Sequence, residues 1–338
     1  MRKKALRGFT LIELLITLVL VAILFLAAAP LVMDYVKSMR NEWRVKAAQD
    51  NQAITSAMTL WARNNGGRLP APYTGGGYTM TVQNPSPTTA AEISFNDVLA
   101  GLELARNAIN DDGSTARNVR VYQRVAGLTR AVPLYGRSGP AVTLTYDLGL
   151  VYLTECSFVG SSCNPNGATG RPGASPALTT TNLKTWTQVS PDVGARFAST
   201  LPAEMDMLAT TARRIDRVRD ALLSYYRGKQ LAAAPTDSTN WYPGSSLAGK
   251  SPAGNQGCRD GWYALDSAQI LPLIGLSREE FGVTAWGGRV EYCADYDPLA
   301  SKSPNAPPHA AALRFLASAS SGSPPDPSVL SNNVLLTL

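Results

Sequence analysis

The sequence predicts an α+β protein: one long N-terminal helix, then a head of small antiparallel sheets packed on helices. Three observations predict it. A continuous apolar run near the start passes into an amphipathic pattern without a helix-breaking signal. A second amphipathic stretch of similar period opens near residue 202. Between and after these lie short β-rich runs separated by Gly- and Pro-rich loops.

The first element begins with "RGFTLIELLITLVLVAILFLAAAPLVM", Arg7 to Met33. Leu14 to Met33 holds no charge, and a helix of about 20 residues spans a bilayer core of about 30 Å. Arg2, Lys3, Lys4 and Arg7 precede it, so the N-terminus is expected in the cytoplasm and the rest exported. After Met33, Val36, Met39, Trp43, Ala47, Ile54, Met58 and Trp61 recur at helical spacing among charged residues, the mark of an amphipathic helix. "NNGGRLP" at 64–70 supplies glycines for a C-cap and a following proline. One helix from Phe9 to Asn64 is roughly 80 Å long. Trp43 and Trp61 are expected to anchor the head on it.

The second helix opens at Pro202, buries Met205, Leu208, Ala212, Ile215, Val218, Leu222 and Tyr225 on one face, and is expected to cap at Gly228. Strand candidates before it are 118–125, 141–148 and 149–158. After it they are Arg289–Tyr296, Ala311–Ser318 and Asn332–Leu338. Segments following the two helices run in parallel order: "NNGGRLPAP" with "RGKQLAAAP", "VLAGLELARN" with "LPLIGLSREE", and "NVRVYQRV" with "GGRVEYCADY". The order suggests two modules in tandem, the second without a membrane half-helix. The expected divisions are 1–8 a basic leader, 9–64 the long helix (apolar 9–33, amphipathic 34–64), 65–195 a first head module and 196–338 a second.

Charge and cysteines bound the function. The net charge of +6 comes mainly from the leader. Without its four cations, 27 basic residues face 25 acidic ones, which argues against a nucleic-acid partner. The charged stretch "TARRIDRVRD" at 211–220 is interleaved with Asp216 and Asp220 and reads as a solvated helix face. Four cysteines, Cys156, Cys163, Cys258 and Cys293, allow three disulfide connectivities in an oxidising compartment. Cys156–Cys163 with Cys258–Cys293 keeps each bridge inside one module; buried free thiols are the alternative. There is no CxxC, and His309 is the sole histidine, so no zinc site is expected. Hydrolase, kinase and dinucleotide motifs are missing, and no catalytic residue, cofactor or metal site is expected.

One feature of the apolar run needs explaining. Glu13 places a carboxylate where a plain anchor has no use for one, at roughly 2–3 kcal/mol if deep in the bilayer. A secretory signal cut after Ala27–Ala29 accounts for the basic start, but the run is long for one and Pro30 follows the cut. The block Gly8-Phe9-Thr10-Leu11-Ile12-Glu13 instead resembles the processing motif of type IV prepilins and type II secretion pseudopilins. That resemblance implies cleavage after Gly8 by a prepilin peptidase and N-methylation of Phe9. It also implies a glutamate at Glu13 that pairs with the new amine of a neighbouring subunit and sets axial register, and a helix-kinking proline at Pro30. A buried charge is less costly when paired, so the partner explains the carboxylate. The implied fold is a pilin-like spine and head, here with two tandem pilin-like modules. The implied function is a minor pilin or pseudopilin-like filament subunit. Its partners are other pilins or pseudopilins and an inner-membrane assembly platform. Its place is the bacterial inner membrane, single-pass with a periplasmic head, and then the filament. The resemblance also raises calcium at Asp295 and Asp297, but their spacing departs from a calcium loop and they read as solvated loop acids. The alternatives are a pilin-stemmed adhesin or DNA-uptake receptor, and a membrane-tethered enzyme with an unrecognised site.

Overall fold

The computed structural model describes residues 11–71, 118–155, 176–188, 193–244, 256–298, 307–318 and 323–338. Helix α1 spans Leu11–Asn64, 54 residues with Pro30 inside it. At 1.5 Å per residue it is about 80 Å long. It ends where the sequence places the glycines: Gly66 and Gly67 take positive φ, and the Gly67 N–H donates to the Ala62 carbonyl at 2.8 Å.

A long hairpin follows. Strand β1 (Asn118–Pro133) pairs antiparallel with β2 (Ala141–Glu155), and the short β3 (Arg196–Ser199) adds to the other side of β2. The candidates at 141–148 and 149–158 are thus one continuous strand as far as Glu155, beyond which the second candidate lies outside the described residues. Gly149 lies between them but serves packing rather than turning: a Cβ there would sit 3.0 Å from both the Tyr122 ring and Leu69.

Helix α2 (Leu201–Ala232) follows β3 directly, with a proline in its first turn. It buries Leu208, Ala212, Ile215, Val218 and Leu222 as the period requires. Two details differ from the sequence expectation. Met205 is partly exposed, and Glu204, one position earlier, takes the inward place. The helix also runs through Gly228 to Ala232, and the chain turns extended at Ala233, two residues before Pro235.

The second sheet has the order β4 (Tyr263–Ala264), β5 (Glu291–Cys293), β6 (Ala312–Leu316), β7 (Asn333–Thr337), all antiparallel. Two single-turn helices, α3 (Ile270–Leu273) and α4 (Arg278–Phe281), join β4 to β5. The fold is therefore a long helix followed by small antiparallel sheets, an α+β pilin-like layout.

The hairpin β1–β2 connects the two halves of the head. A 16-residue strand extends roughly 50 Å, enough to reach two cores. Near its open end, Tyr122 and Val151 pack with Ile54, Met58 and Ala62 of α1. Near its turn, Val132, Leu134, Val142 and Leu144 join the core between α2 and the second sheet. The Thr143 N–H donates to the Ala317 carbonyl at 2.8 Å, tying the edge of β2 to the end of β6. At the hairpin tip the Tyr135 hydroxyl donates to Asp216 of α2.

Candidate functional site: the unpartnered half of the first helix

Among the described residues, the head grips the second half of α1. Ala47, Asn51, Ile54, Thr55, Met58 and Ala62 are buried, with Trp43 and Trp61 packed at the margins. Val36 and Met39, expected on the head-packing face, are exposed instead. The described head residues reach no further along the helix than Trp43. From Ile12 to Met33 the apolar side chains project outward on every side: Leu14, Leu18, Leu24, Phe25, Leu26 and Leu31 are all more than half exposed. The helix is long and apolar enough to cross a membrane, and its most apolar window is buried by none of the described residues. A soluble protein seldom leaves so large a contiguous apolar surface open. This stretch lacks the polar face of a surface helix, so lipid or other apolar helices are its natural surroundings.

The grip on α1 is fixed at its exit by a buried carboxylate. The β1–β2 register slips between Val125 and Leu128, and this bulge lies opposite Asp147. Gly127, in the bulge with positive φ, turns its N–H to Asp147 Oδ1 at 2.9 Å. The Leu69 N–H donates to Oδ2 at 3.0 Å, and Arg68 Nη1 donates to Oδ1 at 2.9 Å. Arg124 Nε stands 3.7 Å from Oδ2, while its Nη1 donates to the Leu69 carbonyl. Asp147 also ties in α2: its N–H donates to Thr200 Oγ1, and its carbonyl accepts from the Thr200 N–H. One residue thus holds the end of α1, the bulge and the start of α2 together.

Glu204 adds a second tie. It is 5% exposed and accepts the Trp286 indole N–H at 2.8 Å. Its Oε1 lies where a Cβ on Gly67 would fall, 2.8 Å away. Burial pushes its carboxyl above the usual range, opposed by the Trp286 hydrogen bond and the nearby Arg68 charge. Neither carboxylate stands out in the sequence. Each is a single acid whose partners lie far away in the chain, and no local spacing marks it.

The residues singled out from the sequence fall as follows. Gly8 and Phe9 lie outside the described residues, as do Cys156 and Cys163. The backbone of Glu13 lies in the first turns of α1, and its side chain is outside the description. Pro30 lies within α1, without the N–H that a helix interior normally supplies to the carbonyl four residues back. Cys258 and Cys293 form a disulfide, Cα to Cα 5.8 Å. Asp295 and Asp297 are not solvated loop acids. Arg259 approaches both, at 3.8 and 2.7 Å, and Asp297 is buried. The Cys258–Cys293 disulfide, one of the pairings the sequence allowed, brings the neighbouring Arg259 guanidinium there. Among the described residues no group of three or more His, Cys, Asp or Glu side chains could hold a metal ion.

Residues 3–29 match the family described as the prokaryotic N-terminal methylation motif. The chain therefore carries the prepilin-type motif of type IV pilins and pseudopilins, joined to an apolar helix that none of the described residues covers. Together these features support a subunit of pilin or pseudopilin type, anchored through its first helix. The motif implies a prepilin peptidase that processes the chain and other pilins that it assembles with. No curated protein and no solved structure matches the chain.

Proposed function

We propose that this protein is a minor pilin or pseudopilin-like filament subunit whose activity is assembly rather than catalysis. The supporting observation is the methylation motif at 3–29, continuous with a helix apolar on every side up to Met33. In this reading a prepilin peptidase cuts the Gly8–Phe9 bond and methylates the amine of Phe9. Before assembly the helix holds the chain in the inner membrane, its head in the periplasm. An inner-membrane platform then moves it into a filament, where apolar helices replace lipid around it. Glu13 accepts the charged amine of a neighbouring Phe9, so that a costly isolated charge becomes a pair and fixes register. The head consists of two pilin-like units, α1 with the first sheet and α2 with the second. Its bulk suits a subunit present in few copies, because a large head crowds a helical lattice.

Intact-mass measurement on protein from native membranes and from sheared surface filaments tests this. A chain beginning at methylated Phe9, present in the sheared fraction, is the expected result. A chain beginning at Met1, or at Pro30 after a signal-peptide cut, refutes the processing. Gly8→Ala should abolish leader removal. Glu13→Ala should leave cleavage intact and lower incorporation; unchanged incorporation removes the register role.

A further inference from the structure

The second sheet carries a strap that the assembly reading leaves without a role. Gln256 to Trp262 crosses the sheet outside its named strands, joined to β5 by the Cys258–Cys293 disulfide. The bond is buried at both ends. On either side of Cys258 the strap is tied to the chain beyond β5. The Arg259 N–H donates to the Asp295 carbonyl, and the Asp297 N–H donates to the Gly257 carbonyl at 2.7 Å. Gly257 has positive φ and lies so close to Tyr296 and Pro298 that a Cβ would meet them at 2.9 and 3.0 Å.

Two residues from the disulfide, the Gln256 side chain acts as a junction. Its Oε1 accepts from Arg314 Nη1 at 2.6 Å and from Asn333 Nδ2 at 3.3 Å. Its Nε2 donates to the Asp326 carbonyl at 3.2 Å and to the Pro327 carbonyl. Arg314 is itself fixed, fully buried between Glu291 at 2.7 Å and the Trp262 ring at 4.1 Å. Asn333 begins β7 and closes the same loop. Its Nδ2 donates to the Asp326 carbonyl, and its Oδ1 accepts from the Asp326 N–H. One amide therefore links the strap, the buried ion pair, the loop at 323–332 and the edge strand β7. That loop, with Thr143, Ala317 and Ser318, lines an open recess of about 680 Å³ where the two sheets meet.

We propose that the Cys258–Cys293 disulfide is a closure device for the C-terminal edge of the head, acting through Gln256. Oxidation seats the strap, the strap seats the Gln256 amide, and the amide seats the 323–332 loop and β7. The bond forms as two thiols give two electrons and two protons to a disulfide oxidant, which leaves as a dithiol. Because the finished bond is buried, reductants reach it only after the strap opens, so the device operates once, as the exported head matures. The proposal rests on the exported-head reading. Its test uses the purified chain and so stands apart from whether the chain enters a filament.

The test is hydrogen exchange by mass spectrometry on the full chain in detergent. It compares the oxidised protein, the Cys258→Ser/Cys293→Ser variant, and Gln256→Ala with its disulfide confirmed by non-reducing mass. The serine variant should exchange about tenfold faster or more over 323–337, while α2 keeps its protection. Gln256→Ala should reproduce the increase over 323–333 with the disulfide intact. Unchanged protection there in Gln256→Ala overturns the proposal. So does an increase in the serine variant that spreads equally into α2. If the serine variant does not fold, Gln256→Ala alone decides.

Discussion

Removing the carboxylate of Asp147 should loosen the attachment of the head to α1 and α2 at once. In Asp147→Ala the buried Leu69 N–H loses its acceptor, while the Gly127 N–H, in an exposed residue, can turn to water. Each buried unsatisfied donor costs about 1–3 kcal/mol. The Arg68 pair adds less than about 1 kcal/mol, because that guanidinium is well exposed. The two backbone ties to Thr200 survive, since they use the main chain of residue 147. The total is about 2–3 kcal/mol, a sizeable share of the roughly 5–15 kcal/mol that holds a domain folded. Urea unfolding of the detergent-solubilised chain, followed by tryptophan fluorescence, measures it. Asp147→Asn keeps an acceptor oxygen and should cost less than the alanine variant. A loss below about 1 kcal/mol for Asp147→Ala would refute the reasoning, because it would mean that water or another group satisfies the Leu69 N–H.

The other expectations concern the buried charges and one close contact. Burial raises the folded-state carboxyl of Glu204, so its favourable contribution is present below the unfolded carboxylate pKa and lost as pH rises through the folded value. Glu204→Gln should therefore stabilise the head at neutral pH relative to the parent. The gain should shrink as the medium is acidified through the carboxylate range, as read from melting midpoints at several pH values. Glu291→Ala leaves the Arg314 guanidinium buried without its carboxylate and should cost about 3–5 kcal/mol in the same urea assay. Replacing both, with Glu291→Gln and Arg314→Met, should recover most of that; no recovery would mean that the pair does not act as a unit. Gly149→Ala forces a methyl against Tyr122 and Leu69 and should cost about 1–3 kcal/mol. A neutral result would show that the Tyr122 ring can shift.

The local features were legible because their causes are local. Charge-free length, helical period, the glycine pair at 66–67 and the methylation motif all act within a few residues of where they are written. They give α1, its exit and the reading of the N-terminus without reference to the rest of the chain. The positions of β5, β6 and β7 were visible for the same reason, since each is a short β-rich run bounded by loops. Where a local cue failed, a tertiary contact overrode it. Gly149 opened a separate strand candidate at 149–158 and is instead a packing notch under Tyr122 inside β2. Val36 and Met39 carry the right period to face a head, yet both are exposed and no described head residue packs on them.

What only the tertiary structure decided is how the pieces join. The sequence alone predicted an apolar helix that must find lipid or other helices, an amphipathic continuation, and a head of mixed helices and sheets. It could not show that one hairpin serves both cores, because that depends on where a strand of 16 residues ends relative to two helices. Nor could it pair Asp147 with Leu69, Glu204 with Trp286, or Arg314 with Gln256, at separations of 78, 82 and 58 residues. A periodic pattern shows which face turns inward. Which group a buried charge meets there is decided by the folded chain, since a charge removed from water must find its partner among whatever the fold brings close.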